Sequence, residues 1–549
     1  MKTGGQLIVD ALEANGVDRL YCVPGESYLA VLDALHDSKI KTIVCRQEGG
    51  AAMMADTYGR LIGRPGICFV TRGPGATNAS AGIHIARQDS IPMILFIGQI
   101  ARKARDREAF QEVDYRAFYG SVAKWVTEID DPARIPELVT RAFATATSGR
   151  PGPVVIALPE DVLTEEAEAP AARTWTPVET TPGEAEMAAL EELLGSAKRP
   201  FAILGGTRWN ERAVADFQKA AENWALPVGC SFRRQMLFDH LHPNYAGDVG
   251  IGLNPKLAQR IKESDVVLLV GGRFGEMPSS DYTLLKSPYP DQKLIHVHPD
   301  TGELGRVYRP TLAINASPIA FAAAFASRKP QATPAWADDT AAMHQSYLQW
   351  STPPETGPGL VLMGPIMKYL ESVLPEDAII TNGAGNYATW IHRFHRFRRF
   401  GTQAAPTSGS MGFGTPAAVA AKQLYPDRLV IAFAGDGCFL MNGQEFATAA
   451  QYRVPIIVVV VNNGIYGTIR MHQEREYPGR VSGTSLDNPD FAALARAYGG
   501  HGETVARTED FVPAFERARD AGKPAIIEIR LDPEAITPTR TLSDIREKR

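Results

Sequence analysis

The sequence predicts an α/β protein built from three doubly wound parallel-sheet domains. Two observations support this fold class: short apolar runs alternate with amphipathic segments of helical length, and two loose stretches rich in Pro and Thr, at about 159–185 and 328–358, interrupt the 549 residues. A chain of this length exceeds what one hydrophobic core can organise. The predicted divisions are a first domain at 1–160, a central Rossmann-like domain at 186–327, a third domain at 359–535 and a polar tail at 536–549.

The elements follow in chain order, and strands that alternate with helices indicate parallel sheets covered on both faces. In the first domain, strands are predicted at 19–23, 41–45, 66–71, 92–97 and 154–158, with helices at 5–15, 28–38, 49–62 and 75–86. In the central domain, strands are predicted at 201–204, 227–231, 265–270, 293–297 and 311–314. In the third domain, strands at 429–434 and 456–461 flank a helix at 444–450.

Composition excludes several classes of function. The net charge of −5 and the hydrophobic content of 44% are typical of an ordinary globular protein and give no reason to expect nucleic acid as a partner. No apolar run approaches the roughly 20 residues that cross a bilayer, and no secretory leader is recognised. The five cysteines are scattered and never in Cys-x-x-Cys spacing. We therefore predict reduced thiols in a cytoplasmic protein, without a nucleic-acid or membrane partner.

Polar motifs follow two of the predicted strands in the third domain. One right-handed crossover would place both motifs at the carboxyl ends of neighbouring parallel strands, where open α/β sheets bind ligands. A carboxylate, an amide oxygen and a backbone carbonyl suit Mg²⁺, and the glycines let backbone N–H groups approach an anion. Each motif alone is equally typical of a turn, but together they predict a Mg²⁺-diphosphate site. Its candidate residues are Gly435, Asp436, Gly437, Cys438, Asn463 and Ile465, with Asp436, Asn463 and Ile465 as the metal ligands.

This pair of motifs resembles the signature of thiamine-diphosphate enzymes, in which Gly-Asp-Gly precedes Asn-Asn. The stretch Arg46-Gln47-Glu48 is similar to the family's Arg-His-Glu, with Gln47 in the histidine's place. The resemblance implies that Glu48 hydrogen-bonds the cofactor's pyrimidine ring and is catalytic. Taken alone, Glu48 is also typical of a helix N-terminus stabilised by the helix dipole.

A second stretch, 407–418, closely resembles the pyrimidine-binding loop of acetolactate synthases. By this resemblance the Gly409 carbonyl accepts a hydrogen bond from the cofactor's amino group, and Met411 wedges the two rings into a bent conformer. Met411 as plain core filler is the alternative. In the place where the family contacts the diphosphate, this chain has Gly385, Asn386 and Tyr387.

Other positions bear on the substrate. Gln111, after Phe110, resembles the glutamine that points at the reacting centre in acetolactate synthases. Glu26 stands where those enzymes usually have a small residue and decarboxylases have aspartate. It could relay a proton and favour simple decarboxylation, or it could be a solvated loop residue. Acetolactate synthases that prefer 2-ketobutyrate as acceptor have tryptophan at the position that His472 occupies here. The identity of the acceptor substrate is therefore left open. The substrate-contact candidates are Pro24, Gly25, Phe110, Thr468, Ile469 and His472.

The resemblance implies a thiamine-diphosphate- and Mg²⁺-dependent enzyme that acts on a small 2-oxo acid, as when two pyruvate molecules give 2-acetolactate and CO₂. It also implies a homodimer or homotetramer, with the first domain of one subunit facing the third domain of another. The alternatives are a decarboxylase that releases an aldehyde, another thiamine-diphosphate carboligase or lyase, and a catalytically silent cofactor-binding subunit.

FAD is possible but not favoured. Biosynthetic acetolactate synthases hold a flavin in the central domain, and Gly205-Gly206 and Gly271-Gly272-Arg273-Phe274 resemble the matching loops. The segment after strand 293–297 and the residues after Phe274 depart from the family's acidic pattern.

Overall fold

The computed structural model describes residues 1–548 and contains three separate six-stranded sheets. Every strand pairing within each of these sheets is parallel, which confirms the predicted fold class. A short antiparallel pair, Lys2–Thr3 with Glu166–Ala167, stands apart from them. Among residues 1–548, none of the helices combines the length and apolarity needed to cross a bilayer.

By packing, the chain divides into two compact units. The first consists of Met1–Val178, Pro406–Pro426 and Leu440–Val454, and the second of Glu179–Ala405, Asp427–Phe439 and the described residues from Pro455 onward. The first unit therefore includes two segments from the third predicted domain. The domain boundaries proposed from the sequence stay a prediction.

The sheet of the first unit has its chain reversal between Arg19–Cys22 and Gly66–Val70, which is the topological switch point at which such sheets bind ligands. In spatial order its strands are Lys41–Val44, Arg19–Cys22, Gly66–Val70, Met93–Gln99, Pro153–Pro159 and Trp125–Glu128. Its α-helices are Gly4–Ala14, Leu29–His36, Glu48–Ile62, Pro74–Asp89, Tyr115–Tyr119, Ile135–Thr147, Glu160–Thr164, Gly414–Leu424 and Glu445–Gln451. Short 3₁₀ helices lie at Glu26–Tyr28, Arg102–Ala104 and Pro132–Arg134.

The central sheet lies in the second unit and, numbered along the chain, has the order 3-2-1-4-5-6 of dinucleotide-binding folds. In spatial order its strands are Tyr245–Val249, Val228–Ser231, Pro200–Leu204, Val266–Val270, Lys293–Val297 and Leu312–Ile314. Its helices are Glu184–Gly195, Glu211–Asn223, Gln235–Leu237 (3₁₀), Pro255–Lys262, Pro318–Ala326 and Ala337–Trp350.

The prediction of a loose stretch at 328–358 was wrong, because the helix Ala337–Trp350 lies within it. Its buried side chains are Thr340, His344 and Tyr347, at helical spacing. Two of these three side chains are polar, and the sequence therefore shows no apolar stripe at this position.

The third sheet also lies in the second unit and repeats the strand order of the first sheet, with its switch point between Ile379–Asn382 and Val430–Gly435. In spatial order its strands are Gln403–Ala404, Ile379–Asn382, Val430–Gly435, Ile457–Asn462, Ala525–Arg530 and His501–Val505. The remaining helices of the chain are Met363–Val373, Ala388–Phe394, Asp436–Asn442, Gly467–Glu476, Phe491–Ala497, Thr508–Asp510 (3₁₀), Phe511–Asp520 and Leu542–Arg546.

The polar tail predicted at 536–549 contains a short helix among its described residues. Its helix Leu542–Arg546 begins with a capping box made by Thr541 and Asp544. Leu542 and Ile545 are buried with Ile536, against side chains from the segment that follows Ile457–Asn462.

Candidate active site

The two loops at the switch point of the third sheet form a cradle that is rich in glycine. Strands Ile379–Asn382 and Val430–Gly435 pair directly, so the loops that follow them are neighbours. The ring of Tyr387 lies beneath both loops: a Cβ added at Gly385 would meet it at 2.7 Å, and one at Gly435 at 3.0 Å. Glycine at these two positions therefore makes room for the ring of Tyr387 beneath the loops.

Asp436 joins this cradle to the loop that follows the neighbouring strand. Its buried carboxylate accepts hydrogen bonds from the amide of Gly437 (2.8 Å), from the amide of Gly464 (2.9 Å) and from Nδ2 of Asn488 (2.8 Å). Burial raises the pKa of Asp436, and these donors oppose the rise. Asn488 has no signal in the sequence, because it lies in a loop remote from both motifs.

The other candidate metal ligands share one turn. Asn463 accepts a hydrogen bond from the amide of Ile465 through Oδ1 (3.3 Å), and Gly464 between them has φ +67°. Ile465 also forms an isolated antiparallel bridge with Ser485. The amide of Gly464 contacts Asp436, so this turn and the Gly435–Cys438 loop are in direct contact.

The remaining candidates near the diphosphate loops lie beneath or beside them. The hydroxyl of Tyr387 accepts a hydrogen bond from the amide of Gly383 (3.1 Å) and contacts Sγ of Cys438 (3.3 Å), with both side chains buried. Asn386 accepts a hydrogen bond from Thr468 (2.8 Å). This contact connects the diphosphate loop to the helix Gly467–Glu476. On that helix Ile469 and His472 are exposed.

In the first unit, Glu48 is the first residue of the helix Glu48–Ile62, directly beyond the end of a parallel strand. Its Oε2 accepts a hydrogen bond from Nδ2 of Asn78 (3.0 Å). Asn78 belongs to the helix Pro74–Asp89, so the carboxylate is held between two helices. Neither composition nor spacing indicated Asn78.

The loop that carries Gly409 and Met411 is fixed at its start by buried Asp89. Asp89 accepts hydrogen bonds from the amide of Thr407 (2.9 Å), its hydroxyl (2.6 Å) and the amide of Ser408 (3.2 Å). Gly409 has φ +70°, and a Cβ placed there would meet open space. The Gly409 peptide thus lies at an unfilled face of the unit, and Met411 is half-buried.

The remaining catalytic candidates gather around Arg72 at the switch point of the first sheet. Arg72 donates a hydrogen bond to the carbonyl of Phe110 (3.2 Å), and its Nη2 lies 3.8 Å from the exposed carboxylate of Glu26. Gln111 has φ +65° and packs against Gly73. A Cβ added at Gly73 would lie 2.7 Å from the Cβ of Gln111. Within residues 1–548, the buried Oε1 of Gln111 has no hydrogen-bond partner. Pro24 and Gly25 form the loop on the other side of this switch point.

Comparisons with known proteins agree with this geometry. Models of the thiamine pyrophosphate enzymes match in three places: the N-terminal TPP binding domain at residues 2–118, the central domain at 187–325 and the C-terminal TPP binding domain at 383–529. The chain is 30% identical over 534 residues to the acetolactate synthase isozyme 2 large subunit of Escherichia coli (strain K12), covering 96% of this chain and 95% of that protein.

The chain belongs to the thiamine pyrophosphate enzyme family.

The chain is also similar to acetolactate synthase large subunits of other organisms. It is 32% identical over 553 residues to the acetolactate synthase large subunit of Parasynechococcus marenigrum (strain WH8102), covering 96% of this chain and 87% of that protein. It is 30% identical over 552 residues to the probable acetolactate synthase large subunit of Methanocaldococcus jannaschii, covering 97% and 93%.

The cofactors of this family, thiamine diphosphate and Mg²⁺, fit the third sheet. Asp436, Asn463 and the Ile465 carbonyl would hold the metal, and the glycine cradle would admit the diphosphate. Within residues 1–548, no three His, Cys, Asp or Glu side chains converge as a metal site. Phosphate oxygens and water would therefore complete the octahedron that Mg²⁺ requires.

At the switch point of the central domain, side chains of the protein form hydrogen bonds with the backbone carbonyls of the loops. Trp209 donates a hydrogen bond to the carbonyl of Gly205 (2.8 Å), and Arg234 donates one to that of Gly206 (2.9 Å). Buried His296 contacts the carbonyl of Gly272 (2.9 Å). These contacts explain the loop geometry without a ligand. The prediction that FAD is not favoured stays a prediction, and the visible absorbance spectrum of the purified family member would test it.

Proposed function

We propose that this protein is an enzyme of the acetolactate synthase type, which decarboxylates a small 2-oxo acid and joins the remaining fragment to a second carbonyl compound. The observation that carries the proposal is the similarity to acetolactate synthase large subunits along 96% of the chain. Two pyruvate ions and one proton would give one 2-acetolactate ion and one CO₂. We further propose that the protein works in the cytoplasm.

The bound cofactor would supply a carbanion that adds to the 2-oxo group and accepts the electron pair left when CO₂ departs. The chain's own groups would do the rest. Asp436, Asn463 and the Ile465 carbonyl hold the metal that neutralises the diphosphate. Glu48, oriented by Asn78, holds a proton at the pyrimidine ring.

Gln111 is proposed to orient the acceptor. A buried amide oxygen without a partner is costly unless a ligand satisfies it. Gln111 packs through its backbone and Cβ against Gly73, at the switch point where α/β sheets bind ligands. A 2-oxo acid ion has no hydrogen-bond donor, so a water molecule would have to satisfy the buried oxygen of Gln111, and the NH₂ group of Gln111 would donate to the carbonyl or carboxylate oxygen of the acceptor. A donor at this position would give the acceptor a fixed place, which supports a carboligase.

A direct experiment is to incubate the purified protein with pyruvate, thiamine diphosphate and Mg²⁺, and to quantify CO₂, 2-acetolactate and acetaldehyde. The proposal expects one acetolactate per CO₂. Acetaldehyde equal to CO₂ would instead establish the decarboxylase, which the carboxylate of Glu26 favours. Gln111→Ala should shift product towards acetaldehyde, whereas Glu26→Gln should not. CO₂ release from none of a panel of 2-oxo acids would favour the catalytically silent subunit.

We also propose that the active unit is a homodimer or homotetramer, in which the first domain (1–160) of one subunit faces the third domain (359–535) of another. The side chain of Phe110, a substrate-contact candidate, is 74% exposed in the single chain, and a second copy could cover it. Subunit complementation tests this proposal. Glu48→Gln and Asp436→Asn should each abolish activity, and a refolded mixture should recover about a quarter of it, because half of random dimers carry one intact site. No recovery would mean that one chain supplies both residues.

A further inference from the structure

Glu445 has a buried carboxylate that none of the cofactor motifs includes. It is the first residue of the helix Glu445–Gln451 in the first unit, and its side chain is fully buried. Oε1 accepts hydrogen bonds from the backbone amides of Gln47 (2.9 Å) and Arg46 (3.1 Å), and Oε2 accepts one from the hydroxyl of Thr448 (2.6 Å). The two amides belong to the residues immediately before Glu48.

These amides lie where regular structure offers no partner. The strand Lys41–Val44 ends before them, and the helix Glu48–Ile62 begins after them with Gln47 as its N-cap. The first N–H groups of a helix have no carbonyl within the helix, so a side chain must satisfy them. The side chain of Gln47 accepts from the amide of Gly50 (3.1 Å) inside the helix, and Glu445 takes the amides outside it.

The same helix also fixes the strand end. The amide of Val44 donates a hydrogen bond to the hydroxyl of Tyr452 (2.8 Å), and Nη2 of Arg46 donates one to Oε1 of Gln451 (2.5 Å). A Cβ added at Gly50 would lie 2.5 Å from Oε1 of Glu445, so the first turn of the helix packs directly on this carboxylate. The path of the backbone into Glu48 is therefore set from the helix Glu445–Gln451.

We infer that Glu445 is a positioning residue: it fixes the backbone before Glu48, while Asn78 fixes the carboxylate itself, so that Glu48 meets the pyrimidine ring in one orientation. This inference rests on the proposed function for the role of Glu48. The contact between Glu445 and the two amides stands independently of that role.

Three substitutions separate geometry from charge. Glu445→Gln keeps an oxygen at the position of Oε1 and removes the charge. Glu445→Asp keeps the charge and retracts the carboxylate by about 1.5 Å, beyond hydrogen-bond reach of both amides. Glu445→Ala removes the acceptor. The matched control is Asp265→Ala in the second unit, since Asp265 likewise accepts from two successive amides, those of Lys198 (2.6 Å) and Arg199 (2.9 Å).

The first measurement is amide hydrogen exchange of residues 44–50 in the cofactor-free protein. Glu445→Asp and Glu445→Ala should speed exchange at Arg46 and Gln47 by about tenfold or more, whereas Glu445→Gln should stay within about threefold of wild type. The Asp265→Ala control should change exchange only around its own amides. Unchanged exchange in both Glu445→Asp and Glu445→Ala would overturn the contact.

The second measurement is steady-state kinetics with the 2-oxo acid that the wild type uses. Positioning predicts that kcat falls by about tenfold or more in Glu445→Asp, that KM changes little, and that Glu445→Gln is close to wild type. The Asp265→Ala control should keep the wild-type kcat. An unchanged kcat in Glu445→Asp would overturn the positioning role, and so would a Glu445→Gln as slow as Glu445→Asp.

If the wild type turns over no 2-oxo acid, the proposed function fails, and exchange of the C2 hydrogen of bound thiamine diphosphate replaces kcat as the readout. The same ranking of variants would then support the inference, and equal exchange rates would refute it.

Discussion

The C-terminal helix is fastened by an ion pair that can be removed without touching its apolar contacts. Arg546 donates two hydrogen bonds to the buried carboxylate of Glu474, at 2.8 and 3.0 Å. Glu474 also accepts from Nε of Arg470 and from the amide of Gly479, each at 2.9 Å. The hydrogen bond from Arg546 is the largest cause that lowers the pKa of Glu474 to about 2.

The substitution Arg546→Met keeps the aliphatic stem and removes both charge-assisted bonds. Bonds to a charged group contribute about 1.5–3 kcal/mol. The buried charge of Glu474 stays compensated by Arg470, so the larger cost of an isolated ion does not arise. At about 1.4 kcal/mol per tenfold change, the detached population of the helix Leu542–Arg546 should rise by roughly 10- to 150-fold.

The assay is amide hydrogen exchange over Leu542–Arg546 at pH 7. Arg530→Met is the matched control, since Arg530 is largely exposed and lies 3.8 Å from its carboxylate partner, a geometry that contributes little. A rise of less than about threefold in Arg546→Met, or an equal rise in the control, would refute the role of the ion pair.

The pH dependence of this helix has a definite sign. A carboxyl group whose folded pKa lies below its unfolded value of about 4.3 stabilises the fold above that value and loses the contribution as the pH falls towards the folded pKa. When the helix detaches, Glu474 keeps its bonds to Arg470 and Gly479, so its pKa in the open state also stays below the unfolded value, and the contribution of Arg546 is lost as the pH falls from that open-state pKa towards about 2. The opening free energy of Leu542–Arg546, corrected for intrinsic exchange, should therefore be constant between about pH 5 and 8 and fall below that range. A slope within the neutral range would contradict this assignment.

Three further predictions concern the cradle and the first unit. Asp436→Asn removes the only carboxylate among the candidate metal ligands and should weaken Mg²⁺ binding with thiamine diphosphate by at least about 100-fold, as measured by calorimetry. Gly437→Ala places a Cβ 2.5 Å from the ring of Tyr466, so the loop must shift and cofactor affinity should fall about tenfold, whereas Gly195→Ala, with no atom nearby, should leave it unchanged. Asp89→Asn weakens the buried pair with Arg60 (2.7 Å), whose charge Asp56 (2.8 Å) still compensates, and should lower the free energy of unfolding by about 1.5–3 kcal/mol in urea titrations; a change below about 0.5 kcal/mol would contradict that estimate.

Sequence patterns predicted elements that are long, apolar and regular, and missed the others for identifiable reasons. The strand Trp125–Glu128 is short, lies at a sheet edge and is only partly buried, so it has no apolar run. In Tyr245–Val249, Gly247 and Asp248 interrupt the apolar pattern. Two strands of the third sheet, Val430–Gly435 and Ile457–Asn462, were located to within one residue, because both faces of a parallel sheet are buried and each run is continuous. The buried strands Ile379–Asn382 and Ala525–Arg530 were not predicted.

The residues of the candidate site likewise fall into those that the sequence predicted and those that only the structure revealed. Asp436 and Glu48 belong to short motifs that are visible in sequence, because their roles depend on neighbouring glycines or on a strand end. The contacts of Asn488 and Asn78 were not predicted, since they join residues 52 and 30 positions apart and leave no local pattern. Glu445 is 398 positions from Gln47, and only a folded structure can relate the two.

The first and third sheets have the same strand order, yet only one of their switch points is suited to a metal ion. After the third strand in chain order, the third sheet places Asp436, and the first sheet places Arg72. A guanidinium there would repel a divalent cation, and it contacts the carboxylates of Glu26 (3.8 Å) and Glu160 (3.1 Å) instead. Under the proposed function, this exchange of an acid for a base would give one topology two roles. The switch point with Asp436 would hold the charged end of the cofactor, and the switch point with Arg72 would present Gln111 to an organic substrate.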